Sequence, residues 1–328
     1  MNIQLTMASI PTTQKALKVK GPGMIVLEQS AIVLRPGDDE VLVRVVCVAL
    51  NPVDAKSADL SPSEGATLGC DFAGEVVAVG DAVGQNLIIG DRVFGCVFGN
   101  NPLELQNGAF AEYVVAPGDL VFRIPPDMSF ATAATLAVGL STVGLGLYHT
   151  LKLPLPGQPT KESATVLVYG GGTATGSLAI QMLRSCGSAV QEFTNNSLGY
   201  ALDCISNTES MKICYSAIGK SGGKYVALDP FPIRSHTRRS VKPDWIIAFT
   251  IFNEPIRWQK PYQREAKPKD RAFAQQWYKI AQSLLDEGAI KAHPHELRDG
   301  GLEAAIEGID MVRTGKVAGK KLVYSVGT

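Results

Sequence analysis

Charge of one sign is what this sequence most plainly lacks. Its 328 residues carry 31 lysines and arginines against 31 aspartates and glutamates, a formal net charge of zero. That balance offers no electrostatic footprint for nucleic acid or for an acidic membrane surface. No apolar run approaches the roughly 20 residues of a membrane span. The stretch 1–19 has no apolar core of about 7–15 residues, so it does not read as a secretory signal. The expected compartment is the cytoplasm. Histidine is scarce: His149, His236, His293 and His295 are the whole set. None pairs with a cysteine at ligand spacing, and His293 and His295 flank a proline like loop residues. Cys47, Cys70, Cys96, Cys186, Cys204 and Cys214 form no C-x-x-C pair and mostly lie among apolar neighbours. That is the pattern of buried free thiols in a reducing compartment. Catalytic zinc needs three Cys, His or Glu ligands with an open position and structural zinc usually four closely spaced thiolates; neither spacing is present, and no metal is expected. The Asn195-Asn196-Ser197 sequon, without a signal, reads as chance. Neither a Ser/His/Asp arrangement nor a carboxylate pair is present.

What is there is an ordinary globular composition, 45% hydrophobic and 19% charged, over a length that suits two domains. Residues 15–121 read as β-rich: Ala16–Val19, Met24–Leu27 and Val41–Ala49 are short apolar or alternating runs split by Gly and Pro turns. From about residue 130 the pattern changes to α/β. Ser129–Leu147 reads as helix, Val166–Tyr169 as a strand ending in Gly170-Gly171-Gly172, and Ser177–Leu183 as an apolar-faced helix. Tyr200–Ile205, Lys224–Leu228 and Trp245–Phe252 read as strands, with Thr208–Ile218 a helix between the first two. Alternation of this kind indicates a doubly wound parallel sheet. Pro268–Glu287 reads as an amphipathic helix with Phe273, Trp277, Ile280 and Leu284 on one face. Leu302, Ile306 and Ile309 have helical spacing, and Lys321–Ser325 closes as a strand.

The turn after Val166–Tyr169 suits a phosphate. Glycines let a backbone approach a pyrophosphate, and the following helix offers free N–H groups and a positive dipole end. The run Gly171-Gly172-Thr173-Ala174-Thr175-Gly176 is not a strict G-x-G-x-x-G; its place between strand and helix supports the assignment.

Several further elements occur in order. They are Asn51-Pro52-Val53-Asp54-Ala55-Lys56, Gly69-Cys70-Asp71-Phe72-Ala73-Gly74-Glu75-Val76, Gly90-Asp91-Arg92-Val93 and Gly108-Ala109-Phe110-Ala111-Glu112-Tyr113. Gly301-Leu302-Glu303 and Gly315-Lys316-Val317-Ala318-Gly319-Lys320 close the series. Together they resemble the zinc-independent medium-chain dehydrogenase/reductase family. Tyr200–Ser206, Thr250-Ile251-Phe252, and Lys269-Asp270-Arg271 with Trp277 are similar to the fungal trans-acting enoyl reductases of polyketide synthases. The resemblance implies a GroES-like catalytic domain from 1–130 and 289–328 around a Rossmann-type domain over 131–288. It also implies NADPH as hydride donor. The expected substrate is an α,β-unsaturated acyl thioester on the carrier domain of a polyketide synthase or synthase–peptide synthetase hybrid. Reducing such a thioester requires no nucleophile, since its carbonyl already polarises the double bond and positioning carries most of the catalysis.

Residue by residue, the resemblance makes Lys56 and Thr142 the catalytic candidates. It puts Asn51, Pro52, Val53 and Asp54 on the cofactor with the glycine turn, Gly171 to Thr175. Leu228, Asp229, Val317 and Ala318 join them. Ser141, Thr142, Val143, Gly144 and Leu145 fall on the substrate, as do Thr250, Ile251, Phe252, Asn253 and Glu254. Asn253 stands where the family pattern has glycine, so its side chain is expected to narrow the acyl channel. Asp71 and Glu112 read as architectural.

One departure is large. A βαβ unit takes about 30 residues or more, yet only Ser188–Gly199 lies between the first nucleotide-fold helix, ending near Cys186-Gly187, and the strand at Tyr200. Strand 2, helix B and strand 3 are expected to be absent. The adenosine reader at the end of strand 2 then has no equivalent, because Gln191 and Glu192 lack the strand that would aim them, and NADPH binding is expected to weaken. Strand 1 becomes an edge that invites pairing. A homodimer through that edge, its coverage by Gln191–Gly199, or a continuous sheet through Trp245–Phe252 follow as options beside a monomer. Three readings stay open: a reductase, a cofactor-impaired homologue that performs a non-redox step such as cyclisation on a polyene, and a non-catalytic synthase partner.

Overall fold

Apolar residues recurring at alternate positions build the first half of the chain into strands, and the pattern lengthens to helical spacing after it. A computed structural model describes residues 10–84, 87–158, 164–185 and 197–327. Its strands are β1 (Thr13–Gly21), β2 (Met24–Ile32), β3 (Glu40–Ala49), β4 (Asp71–Val79), β5 (Arg92–Cys96), β6 (Tyr113–Pro117), β7 (Val121–Arg123), β8 (Val166–Tyr169), β9 (Tyr200–Asp203), β10 (Gly223–Ala227), β11 (Val241–Trp245), β12 (His295–Arg298) and β13 (Lys321–Ser325). Its helices are α1 (Pro52–Leu60), α2 (Phe130–Ala133), α3 (Ala137–Val143), α4 (Ala174–Ser185), α5 (Thr208–Ala217), α6 (Pro268–Asp286) and α7 (Gly301–Arg313).

Two lobes result. In the first, β1 and β2 form a hairpin, and a curled sheet runs β12-β13-β3-β4-β5-β7 with β6 also on β3. The chain's C-terminal strand returns to this lobe, with β13 antiparallel to β3. Phe72, Phe110, Leu17 and Tyr324 fill its core. In the second lobe β11-β10-β9-β8 form a parallel sheet. Trp277, Leu140, Leu178 and Met182 pack between this sheet and the first lobe.

The expected loss of strand 2, helix B and strand 3 falls mainly on 186–196, outside the described residues, as do Cys186, Gln191, Glu192 and most of the sequon. Among the described residues β8 pairs only with β9 and stands at the sheet edge.

Several expectations are corrected. The helix over Ser129–Leu147 is broken in two, because the Val138 N–H turns to the Asp71 carboxylate (2.8 Å) and the Thr135 carbonyl to the Lys321 ammonium (3.1 Å). Beyond α3 the turn widens to a π-helix over Gly144–Thr150. There the Trp277 indole N–H shares the Leu140 carbonyl at 2.9 Å. Phe130–Thr150 is also long and apolar enough, by length and composition, to cross a bilayer, contrary to the reading that no run approaches a span. Its apolar window is 83% buried inside the protein, the mark of a core helix.

Trp245–Phe252 is not one strand. β11 ends at Trp245, and the chain curls into a 3₁₀ turn over Ala248–Phe252, because the Thr250 hydroxyl takes the Ile247 carbonyl at 3.1 Å. His295 opens β12 instead of lying in a loop.

Candidate active site

A cleft of about 480 Å³ separates the lobes. It opens at the C-terminal ends of β9, β10 and β11, where open α/β sheets take their ligands.

Helix α1 forms one wall. Pro52 sets its first turn, and the Asp54 carboxylate accepts the Asn51 N–H at 2.7 Å, so the sequence N-P-V-D starts the helix without outside help. The exposed face then carries Val53, Lys56 and Leu60 into the cleft at helical spacing. Asp54 takes the opposite face. It is 1% exposed, one of its oxygens has no hydrogen-bond partner among the described residues, and burial pushes its carboxyl up to about 7. Expected on the cofactor, it lies behind the cap and does not line the cleft.

Asn51 does line it, with its side chain held from below. It donates to Asp71 at 2.9 Å and accepts from the Lys321 ammonium at 2.9 Å. Lys321 also meets Asp71 at 2.7 Å. This buried set joins β4, β13 and the start of α1.

The glycine turn forms the opposite wall. Gly170 has φ +82°, a left-handed value glycine adopts without strain. A Cβ on Gly176 would stand 2.3 Å from the Gly170 carbonyl oxygen, so only glycine lets α4 approach the turn this closely. The Thr173 hydroxyl accepts the Gly176 N–H at 3.0 Å and donates to the Gly170 carbonyl at 2.8 Å, capping α4. Ala174 and Thr175, the first positions of α4, have amides without partners inside a helix, and both line the cleft beside Gly172. A Cβ on Gly172 would meet nothing within 4 Å. The turn is therefore an open cradle of amides. Gly171 lies outside it, with its missing side chain directed at Ile180.

Lys56 crosses the cleft. Its ammonium stands 2.6 Å from the Asp229 carboxylate, just beyond β10. Leu228, Val317 and Ala318 line the same space. Thr142 lines it from α3, with its hydroxyl donated to the Val138 carbonyl at 2.7 Å; it can meet a ligand through its remaining lone pairs or its methyl.

The other residues expected on the substrate lie outside the cleft lining. Ser141 is buried on the Tyr278 hydroxyl (2.7 Å) and beside Cys96. Val143 and Leu145 belong to the core, and a side chain on Gly144 would strike the Trp277 indole at 2.4 Å. Thr250 and Ile251 are buried. Phe252 packs against apolar core, Asn253 takes a left-handed turn (φ 58°), and Glu254 accepts from Asn101. The lining comes instead from the segment just before them, Trp245 to Phe249, joined by Trp258 and Tyr262. These rings meet edge to face: Trp245 with Tyr262, Tyr262 with Trp258, Trp258 with Phe249. Sequence periodicity carries no signal for this wall, because Trp258 and Tyr262 sit in an irregular loop. His293, expected in a loop, lines the cleft with its ring on the Ser177 hydroxyl at 3.3 Å. Burial pushes the Cys204 thiol, also in the lining, up to about 12, and it stays neutral.

A GroES-like lobe set against a parallel nucleotide fold, with the cleft at the strand ends and a glycine turn in it, defines a medium-chain dehydrogenase/reductase. Residues 37–126 match the alcohol dehydrogenase GroES-like domain. The crystal structure of CurK enoyl reductase shares the fold, with a TM-score of 0.70 at 19% identity, covering 96% of this chain and 100% of that one. The chain is 48% identical to the trans-enoyl reductase opdC of Penicillium oxalicum, over 98% of its own length and 99% of the relative's. It is 47% identical to the trans-enoyl reductase apdC of Emericella nidulans, over 97% and 99%. The chain belongs to the trans-enoyl reductases, oxidoreductases of the zinc-independent branch of that family.

Proposed function

We propose that this protein is a trans-acting enoyl reductase that reduces an α,β-unsaturated polyketide thioester, presented by the carrier domain of a synthase or synthase–peptide synthetase hybrid, with NADPH as donor. The supporting observation is one cleft that holds both an amide cradle at Gly172–Thr175 and, across it, Lys56 and Thr142. The open side of Gly172 and the α4 amides fit a diphosphate. Bound there, NADPH would supply the hydride. Lys56 and Asn51 would hold its ribose side, Leu228 and Asp229 the neighbouring wall, and Val317 and Ala318 the rim. The aromatic wall from Trp245 to Tyr262 would take the flat acyl chain and exclude water.

The adenosine end is where this chain is expected to bind weakly. Alignment with opdC runs over 362 positions against 328 residues here, and with apdC over 332, so length varies among these relatives. Among the described residues no strand pairs with the edge of β8 away from β9, the edge that strand 2 takes in a 3-2-1-4-5-6 sheet, and this favours the nucleotide lobe as the place of the difference. The buried thiols among the described residues suit the reducing cytoplasm.

The test is NADPH consumption with an enoyl pantetheine thioester, alongside a fluorescence titration of the cofactor. Micromolar binding with stoichiometric formation of the saturated thioester supports the proposal. No binding at millimolar NADPH, with a polyene thioester still converted to an isomeric product, replaces it with the non-redox reading.

A further inference from the structure

We propose that Asp229 and Tyr262 are positioning residues that act through Lys56, clamping its ammonium at the junction of the two lobes. The inference rests on the reductase reading for what Lys56 does, but not for how it is held.

Three separate parts of the chain meet here. Lys56 comes from α1 in the GroES-like lobe, Asp229 follows β10 in the nucleotide lobe, and Tyr262 comes from the loop before α6. The carboxylate uses both oxygens: Oδ2 faces the Lys56 ammonium at 2.6 Å, and Oδ1 accepts from the Tyr262 hydroxyl at 2.9 Å. A carboxylate held at both ends cannot turn away. Tyr262 is fixed in turn by the rings of Trp245 and Trp258, with centroids 6.0 Å and 6.4 Å away, and by its N–H on the Gln259 carbonyl at 3.0 Å. Burial and the neighbouring carboxylate push the Tyr262 phenol up, so it remains a donor. Rigidity thus passes from the aromatic wall through Tyr262 and Asp229 to a lysine whose own stem is flexible and half-exposed. An ion pair this exposed adds little to stability, which leaves positioning as its effect. All three side chains line the cleft.

The test uses Tyr262→Phe, which keeps the ring and removes only the hydroxyl. It should lower kcat about tenfold and raise the NADPH dissociation constant, read by fluorescence, severalfold, because Lys56 holds the ribose side of the cofactor. In a Lys56→Met background the same change should cost nothing further, because both substitutions remove one unit. A second readout needs no turnover. Amine-selective labelling followed by mass spectrometry should show Lys56 reacting about threefold faster in Tyr262→Phe, with Lys320 in the same digest as reference. Additive losses in the double variant, or an unchanged labelling ratio, overturn the clamp. Wild-type protein that consumes no NADPH with any enoyl thioester overturns the reductase reading instead, and the labelling ratio then decides the clamp alone.

Discussion

The Lys321 ammonium donates to the Asn51 side chain at 2.9 Å across 270 residues of sequence. It also meets Asp71 at 2.7 Å and the Thr135 carbonyl at 3.1 Å. Lys321→Met would leave Asp71, fully buried, without its counter-charge. The expected cost is about 3–5 kcal/mol in urea denaturation, since breaking one side of a buried pair strands the other. Adding Asp71→Asn should return much of it. An unchanged midpoint for Lys321→Met would show that the pair is not structural.

Two glycines of one turn should behave oppositely. Gly176→Ala places a Cβ 2.3 Å from a backbone oxygen, so turn or helix must shift, at a cost of roughly 1–3 kcal/mol. Gly172→Ala meets nothing in the protein and should change stability by less than about 0.5 kcal/mol. Its methyl would enter the amide cradle and weaken NADPH about tenfold. Melting temperature and cofactor titration of the two variants separate these effects; a cofactor affinity untouched by Gly172→Ala argues against a phosphate in the turn.

Asn253, expected to narrow the acyl channel, lies outside the cleft lining, because the 3₁₀ turn carries it away. Asn253→Gly should leave chain-length preference unchanged and shift stability by under about 1 kcal/mol, left-handed strain being exchanged for backbone entropy. Ala248, five residues earlier, does line the cleft. Ala248→Leu should raise KM for long acyl thioesters severalfold and spare a four-carbon one. Kinetics on a series of chain lengths checks both. A preference altered by Asn253→Gly would put the channel back where sequence alone placed it.

Much of this architecture was legible. β8 and β13 run from Val166 to Tyr169 and from Lys321 to Ser325, the bounds that alternation and flanking turns indicate, because short apolar strands are set by local pattern. The glycine turn was legible from its place between strand and helix, whereas Lys56 was singled out only by the family resemblance. Long-range contacts were not. The break between α2 and α3 depends on Asp71 and Lys321, distant in sequence, taking backbone groups that a local reading assigns to the helix. Buried positions on α6 run through Ala274, Trp277, Tyr278, Ala281 and Leu285; alanines at close helix contacts escape a search for large apolar residues. Tyr262 and Trp258 reach the cleft from a loop with no period to read.

Asp54 offers a pH test independent of any ligand. Its carboxyl is raised to about 7 by burial, against an ordinary value of 3.8. Between those values the folded chain keeps a proton that the unfolded chain has released. Stability from this group is therefore greatest below about pH 4 and falls as pH rises toward 7. The shift of roughly three units corresponds to about 4 kcal/mol at full extent. Asp54→Asn keeps the size and the acceptor for the Asn51 N–H but cannot ionise. The stability difference between variant and wild type should move in the variant's favour by about 3 kcal/mol from about pH 4.5 to about pH 8. Titrations of groups distant from Asp54 are common to both proteins and cancel in that difference, and the neighbouring Cys70 thiol, pushed well up by burial, stays neutral over the range. A difference that stays flat over the range would mean that Asp54 ionises normally in the folded protein, with water or a counter-charge at its unpaired oxygen.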